Sequence, residues 1–505
     1  MLRLALAALL IWLVLVLPSR LIWPQLAALP PELPLALLLP ALLGRAGQFL
    51  VAAALSLLAV LKLADIGMHE TLGRGFNLRG DLPLLGAGLE LLRGAAGPLA
   101  PVLAVLAAAL AATLVIWAMW RAAGLWRGVG RAALVVLAGA ALLGQTAGLL
   151  RPDTAGYARA KAEEVARTGA ALAAFRTEAA RDPFAGRTDL FGALDRDLLL
   201  IFVESYGATS LTTPLYADTH LATLRQAERT LSAAGLAMRS ARVSAPTRGG
   251  QSWLSHATLA QGMRIDDQAR YRAALVSGRR SLFHHAQAAG LTTAAVMPAI
   301  TRPWPEASTM GFQRVLAAAD LGYRGLPFNW VTMPDQFTLA ALDRLLRAPE
   351  PRPLVAQIAL ISSHAPWVPV PTLVPWEEVG DGTIFNPMAE AGDPPRVVWR
   401  DRDRVREQYR LAIDYSLRTV MDYARLHAAA PPLMIVIGDH QAAPSIALDE
   451  APEVPLHVIG PPRLVDRFAH AALAPGLVPG RTLPVIPMEA LRDLILEVLA
   501  APASN

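Results

Sequence analysis

Apolar runs crowd the first 150 residues, and they restrict the fold more than any other feature of the chain. They are Leu4 to Leu17, Pro31 to Leu43, Phe49 to Ile66, Leu99 to Trp120 and Ala132 to Leu150. Several approach the roughly 20 apolar residues that an α-helix needs to cross the hydrocarbon core, and they carry almost no charge. A soluble core helix is not apolar on every side over such a length, so residues 1–150 are predicted to form a transmembrane bundle of about five helices. The second run is the most interrupted, by Pro31, Pro34 and Pro40. The first has the charged start and apolar middle of a signal peptide. No small-x-small cleavage site follows it and four further runs do, so it reads as an uncleaved span.

Arginine placement sets the orientation, because Lys62 and Lys161 are the only lysines. Arg121, Arg127 and Arg131 lie between the fourth and fifth runs with no acid among them, and Arg3 and Arg45 fall on the same side if the spans alternate. On the other side Arg74, Arg79 and Arg93 are accompanied by Glu70, Asp81 and Glu90. The positive-inside tendency then puts the N-terminus in the cytoplasm and everything after Leu150 on the periplasmic or extracytoplasmic side of a cell (inner or plasma) membrane. The chain has no cysteine, which excludes disulfides and thiolate chemistry. Its net charge of +5 is not gathered into a basic stripe, so nucleic acid is not an expected partner.

Residues 151–194 turn polar and Ala-rich, as in "PDTAGYARAKAEEVARTGAALAAFRTEAARD" from Pro152, with the spacing of an amphipathic linker helix. From residue 195 to 505 the rhythm changes to short apolar strands alternating with helices. Strands are predicted at Leu198 to Val203, Met238 to Val243, Thr292 to Val296, Leu354 to Ile361, Leu433 to Ile437 and Leu456 to Ile459. Helices are predicted at Leu221 to Ala234, Asp335 to Leu346, Arg404 to His427 and Met488 to Leu499. This alternation implies an α/β domain with a mainly parallel central sheet covered by helices on both faces.

In such a sheet ligands bind at the carboxyl ends of the strands, where the crossover loops leave a crevice. Those positions hold Glu204 in "VESYG", His364 in "SSHAPW", and Asp439 with His440 in "GDHQ". Carboxylates and imidazole suit Zn²⁺, Mn²⁺ or Mg²⁺. Each alone is a weak signal: a Glu after a strand is commonly a helix-start acid. The stretch "SAPTRGGQSWLSHATLAQG" adds four hydroxyls around a Gly-Gly pair, Ser244, Thr247, Ser252 and Ser255. Its bland reading is a capped helix start after a flexible loop.

Together these residues resemble the sulfatase-like branch of the alkaline phosphatase superfamily, specifically the membrane-bound lipoteichoic acid synthase and phosphoglycerol transferase group. The resemblance spans nearly the whole chain and implies a sulfatase-like catalytic domain over residues 195–505. It implies that Glu204, in a Glu204-Ser205 pair, is a metal ligand, that Asp439 and His440 are two more, and that a Thr or Ser at a helix start completes the set and is the nucleophile. Ser252 fits that place as an N-cap, because the apolar helix pattern "WLSHATLAQG" begins immediately after it and helix N-termini favour anions. Thr247, in the loop, is the runner-up. One divalent ion is implied, Mn²⁺ or Zn²⁺, with Mg²⁺ a third choice.

The resemblance further implies that His364 contacts the substrate phosphate and acts in catalysis. The group's Trp-Asn-Arg stretch is matched in part by "TRPWPEAS": Trp304 corresponds, Glu306 stands where the Arg would be, and Arg302 is the candidate replacement. That departure bears on the head group. His256 reads as a supporting or packing residue, and His457 as a residue of a strand bordering the site.

The implied activity is metal-dependent transfer or hydrolysis of a phosphoryl ester. The donor would be a phosphatidylglycerol-like membrane lipid, and the acceptor a glycan or polyol hydroxyl. Phosphoethanolamine transfer is an alternative, although such enzymes commonly carry disulfides that this chain cannot form. A sulfatase would need a Pro and an Arg after the modified residue, and "WLSHATL" has neither. A non-catalytic membrane sensor or assembly protein is the reading from another class.

Overall fold

The computed structural model of the protein describes residues 2–20, 30–82, 84–130, 135–136, 139, 154–348, 353–480 and 482–501. The chain divides into two compact units, Met1–Leu172 and Ala173–Asn505.

The first unit contains α1 (Leu2–Val16), α2 (Glu32–Leu72), α3 (Leu84–Ala96) and α4 (Ala100–Leu125). Ile11, Leu15, Leu37, Val51, Leu55, Met119 and Ala123 form its packed interior. The α2 segment is not one rod. Gly44 breaks it with φ 59 and ψ −127, a backbone state that glycine adopts without a Cβ clash.

A straight helix would separate Glu32 from Lys62 by about 45 Å. Both instead reach the end of α1. Lys62 Nζ donates to the Leu15 carbonyl at 2.8 Å and the Thr154 hydroxyl donates to the same carbonyl at 3.2 Å, while Glu32 accepts from the Ala155 N–H at 2.9 Å. The chain therefore doubles back at Gly44, and the Pro31 to Leu43 run is a short arm of about 18 Å, less than a hydrocarbon core.

Two helical segments, Glu32–Leu72 and Ala100–Gly128, are long and apolar enough to cross a membrane. The predicted five are not shown by the described residues. The short first arm is one reason, and the run Ala132 to Leu150 lies outside them except at 135–136 and 139. The linker stretch forms α5 (Thr154–Ala179), whose first turns belong to this unit. There the Tyr157 hydroxyl and Lys161 ammonium both donate to Asp65, at 2.7 and 2.9 Å.

The second unit is built on nine strands: β1 (Leu198–Val203), β2 (Ala237–Ser244), β3 (Thr292–Met297), β4 (Arg314–Ala317), β5 (Leu354–Leu360), β6 (Leu433–Gly438), β7 (Glu453–Gly460), β8 (Ala474–Pro475) and β9 (Ile486–Pro487). Their order is β4-β3-β5-β1-β6-β7-β2-β8, with β9 on β2. The predicted strands are all present, most within a residue or two of the expected ends.

The sheet is mixed, which corrects the expectation of a mainly parallel one. The run β4-β3-β5-β1-β6 is parallel, but β7 is antiparallel to both β6 and β2. The connection after β6 holds only the helical turn Pro444–Ala447 and no crossover helix, so β7 returns beside β6 in the opposite sense. Strand β4 escaped prediction because it is only four residues long and half buried.

Six consecutive buried apolar residues make β1 the centre of the sheet, covered on both faces. On one face α6 (Pro214–Ala233) packs against α9 (Arg402–Leu426). The functional edge also uses α7 (Ser252–Gln261) and α8 (Asp335–Leu342), and α10 (Leu491–Val498) closes the chain.

Candidate metal centre

Strand register builds the site. Val203 of β1 pairs with Gly438 of β6 on one side and with Leu360 of β5 on the other, so the residues that follow emerge side by side at one edge. Glu204, Asp439 and His440 come together there, with ligand atoms all within 4.8 Å of one another. They are 8%, 1% and 1% exposed.

The two turns cross at close range. A Cβ on Gly438 would lie 1.9 Å from the Tyr206 carbonyl oxygen, and one on Gly207 would lie 1.3 Å from Gln441 Oε1. Ser205 takes φ 57, unusual for a residue with a side chain. Its N–H donates to Asp439 Oδ1 at 2.8 Å, and the Tyr409 hydroxyl donates to its carbonyl at 2.9 Å.

The loop before α7 is tied to the same turn, since the Gly249 N–H donates to the Gln441 carbonyl at 2.7 Å. This brings Ser252 in as the first helical residue. It is not the N-cap that the sequence suggested: Gln251 occupies that place, in a left-handed conformation with φ 68. The Ser252 hydroxyl is instead half-buried and donates to Glu204 Oε2 at 2.9 Å. Thr247 is buried, and its hydroxyl lies 3.5 Å from that of Ser255.

His440 Nε2 is 3.0 Å from Glu204 Oε1 and 3.8 Å from Asp439 Oδ1, yet it is buried without a hydrogen-bond partner. Its Nδ1 faces the Gln441 carbonyl at 3.0 Å, which leaves Nε2 to face the carboxylates. Burial would raise the Glu204 pKa, but the nearby charge of His440, with a smaller contribution from His364, holds it well below the usual carboxylate range. Burial and then the charge of Glu204 drive Asp439 up. For His440 burial works downward, but Asp439 and Glu204 outweigh it and push the imidazole up to about 9. Two buried carboxylates demand a cation. An orphaned imidazole nitrogen and a hydroxyl aimed at the same point make a donor set that fits a divalent metal.

His256 lies one helical turn beyond Ser252. It is buried, its ring is 4.2 Å from Phe202, and its Nε2 has no hydrogen-bond partner. Burial pushes it down to about 4, against the charge of Glu204. It does not join the group of ligand atoms around Glu204. His457 faces Tyr206 from β7, with Nε2 3.1 Å from the hydroxyl, so it supports the Glu204 turn from behind.

His364 sits on the turn after β5. In that turn the Ser363 hydroxyl donates to the Glu204 carbonyl at 2.6 Å. Trp304 and Arg302 occupy the loop after β3, two strands from β1 at the same edge; Trp304 packs on Phe312 with centroids 5.9 Å apart, and Arg302 is exposed. Glu306 begins the short helix Glu306–Thr309 and is exposed.

Sequence reasoning missed Asp335 and Trp330. The buried Asp335 carboxylate accepts from the Ile361 and Ser362 N–H groups, both at 2.8 Å, and so shapes the turn carrying His364. Trp330 stacks on His364. Neither lies at a strand end, so the filter that found Glu204 passes over both.

No protein-family profile matches the chain, and no curated protein sequence does. Among solved structures the chain is similar to the lipoteichoic acid synthase LtaP from Listeria monocytogenes, at 10% identity over 66% of this chain and 78% of that chain, with a TM-score of 0.41. It is similar also to the soluble domain of lipooligosaccharide phosphoethanolamine transferase A from Neisseria meningitidis, at 14% identity over 63% and 90%, with a TM-score of 0.40. A third is the Streptococcus pyogenes phosphoglycerol transferase GacH in complex with sn-glycerol-1-phosphate, at 12% identity over 66% and 87%, with a TM-score of 0.38. The names of the first and third are those of the group that the sequence resembles.

Proposed function

We propose that the α/β unit is a metal-dependent phosphoryl-ester transferase or hydrolase. It would work at the extracytoplasmic face of a membrane, with Ser252 as nucleophile and a phosphatidylglycerol-like lipid as donor. The observation that carries the proposal is the Ser252 hydroxyl, at the start of α7 and 2.9 Å from a carboxylate that shares a buried cluster with Asp439 and His440. Glu204, Asp439, His440 and Ser252 would hold one Mn²⁺, Zn²⁺ or Mg²⁺. Such an ion supplies positive charge that eases ionisation of a nearby hydroxyl and offsets charge on phosphoryl oxygens.

The chain's own groups supply the rest. Glu204 accepts the Ser252 hydroxyl hydrogen bond and so orients Oγ. The exposed N–H groups of the first turn of α7 face the incoming negative charge. Ser252 Oγ, its hydroxyl proton released to water on ionisation, attacks phosphorus; the new O–P bond forms as the bond to the diacylglycerol oxygen breaks, and His364 delivers a proton to that oxygen. The phospho-Ser252 ester is then passed to a glycan or polyol hydroxyl, or to water. Arg302 and Trp304, on the neighbouring loop, are proposed head-group contacts. Phosphoethanolamine lipids are the alternative donor, since Glu306 is an acid where the resembled group has an Arg.

Incubation of the metal-loaded protein with head-group-labelled phosphatidylglycerol tests this. Release of diacylglycerol and a labelled protein adduct is expected, with both lost in Ser252→Ala and both retained in Thr247→Ala. An adduct that survives Ser252→Ala but not Thr247→Ala makes Thr247 the nucleophile. Metal binding with neither adduct nor diacylglycerol from any phospholipid removes the lipid donor, and a chain that binds no Mn²⁺, Zn²⁺ or Mg²⁺ leaves a sensor or assembly role.

A further inference from the structure

The His364 imidazole is constrained from two directions. Its Nδ1 lies 2.5 Å from the Ala365 carbonyl oxygen. A carbonyl only accepts, so Nδ1 carries the hydrogen and Nε2 is the nitrogen left for a ligand. Against the flat of the ring lies Trp330, with centroids 4.0 Å apart and planes 21° from parallel.

The indole is delivered by a dedicated piece of backbone. Phe328 and Val331 exchange main-chain hydrogen bonds at 2.8 and 3.1 Å, which closes a two-residue turn with Asn329 and Trp330 at its tip. Asn329 takes φ 56, a conformation that asparagine tolerates better than most residues. Its side-chain amide donates to the Val368 carbonyl at 2.5 Å, which pins the turn to the segment that bears His364. Phe328 and Val331 are buried in the core of the unit, so the tip has a fixed base.

We propose that Trp330 is a positioning residue for His364, holding the imidazole plane so that Nε2 faces the phosphoryl group at Ser252. The role rests on the assignment of His364 as proton donor above. The carbonyl prevents a ring flip that would exchange the two nitrogens, and the indole prevents the ring from swinging out of plane.

The test uses the full chain in detergent, loaded with Mn²⁺, and a series of aryl phosphodiesters whose leaving phenols range from nitrophenol to unsubstituted phenol. A phenolate that leaves easily needs no proton, and a poor one does, so an enzyme with a placed acid shows a shallow dependence of rate on leaving group. Trp330→Ala is expected to lose at least about tenfold in kcat on the poorest leaving group and less than about twofold on the best, steepening the series toward that of His364→Ala.

Trp330→Phe should recover most of the loss, and Trp330→Ala in a His364→Ala background should change nothing further. Trp330→Leu, of similar bulk without a π face, carries the same comparison if Trp330→Ala does not fold, as judged by melting and Mn²⁺ affinity. An equal loss across the series, or losses that multiply in the double variant, would overturn the proposal. A wild type inert toward phosphatidylglycerol that still shows this leaving-group pattern removes the lipid donor and leaves the role of Trp330 standing.

Discussion

His440 and His457 lie on adjacent strands or their ends, 17 positions apart, and their surroundings drive them in opposite directions. His440 faces two buried carboxylates and is pushed up to about 9. His457 is buried against Tyr206, and burial pushes it down to about 4. A buried neutral imidazole has a stability consequence with a definite sign. The unfolded chain takes up the proton near the ordinary value of about 6.5, whereas the folded chain resists it until about 4. The stabilising effect is therefore complete above pH 6.5 and declines as pH falls between those values, by up to roughly 3 kcal/mol for this one group. Urea unfolding at pH 7.5 and pH 5, followed by tryptophan fluorescence, should show a smaller difference for His457→Gln than for wild type. An unchanged difference would remove His457 as a source of acid sensitivity.

Among elements, the decisive event is the parallel pairing of β1 with β6. Register places Val203 opposite Gly438, and the chains that follow then pass so closely that no side chain fits at Gly438. Gly438→Ala must displace the Tyr206 carbonyl and with it the turn bearing Glu204, while Asp439 is moved from the other side. A loss of at least about 2 kcal/mol is expected from such overpacking and backbone shift, together with weakened metal binding. Gly278, where an added Cβ meets nothing within 4 Å and the φ is not left-handed, is the control, and Gly278→Ala should be close to neutral. Isothermal titration with Mn²⁺ and chemical unfolding of both variants make the comparison. Equal behaviour of the two would mean that the turn crossing is not what positions the ligands. The α7 start belongs to this scale too: a helix whose N-cap is Gln251 leaves the Ser252 hydroxyl available to Glu204, where a capping Ser would spend it on its own backbone.

At the scale of the molecule, the unit Ala173–Asn505 has its own core and its own ligand cluster. Expressed alone, it should remain soluble, bind one Mn²⁺ or Zn²⁺, and melt at a lower temperature after chelation, since a ligand at 100 times its Kd adds about 2.7 kcal/mol. Glu204→Gln should abolish the chelation effect; a shift that persists in it would place the metal elsewhere. The sequence alone determined the apolar first unit, six of the nine strands of the second and the candidates Glu204, Asp439 and His440, because hydropathy periods and strand ends are local properties. Local pattern did not reveal that Gly44 folds α2 back, that β7 returns antiparallel, or that Ser252 begins a helix without capping it. Nor did it reveal Trp330 or Asp335, whose partners lie 34 and 26 positions away at His364 and Ile361. Those facts depend on which distant segments share a sheet edge, and only the packed tertiary structure decides that.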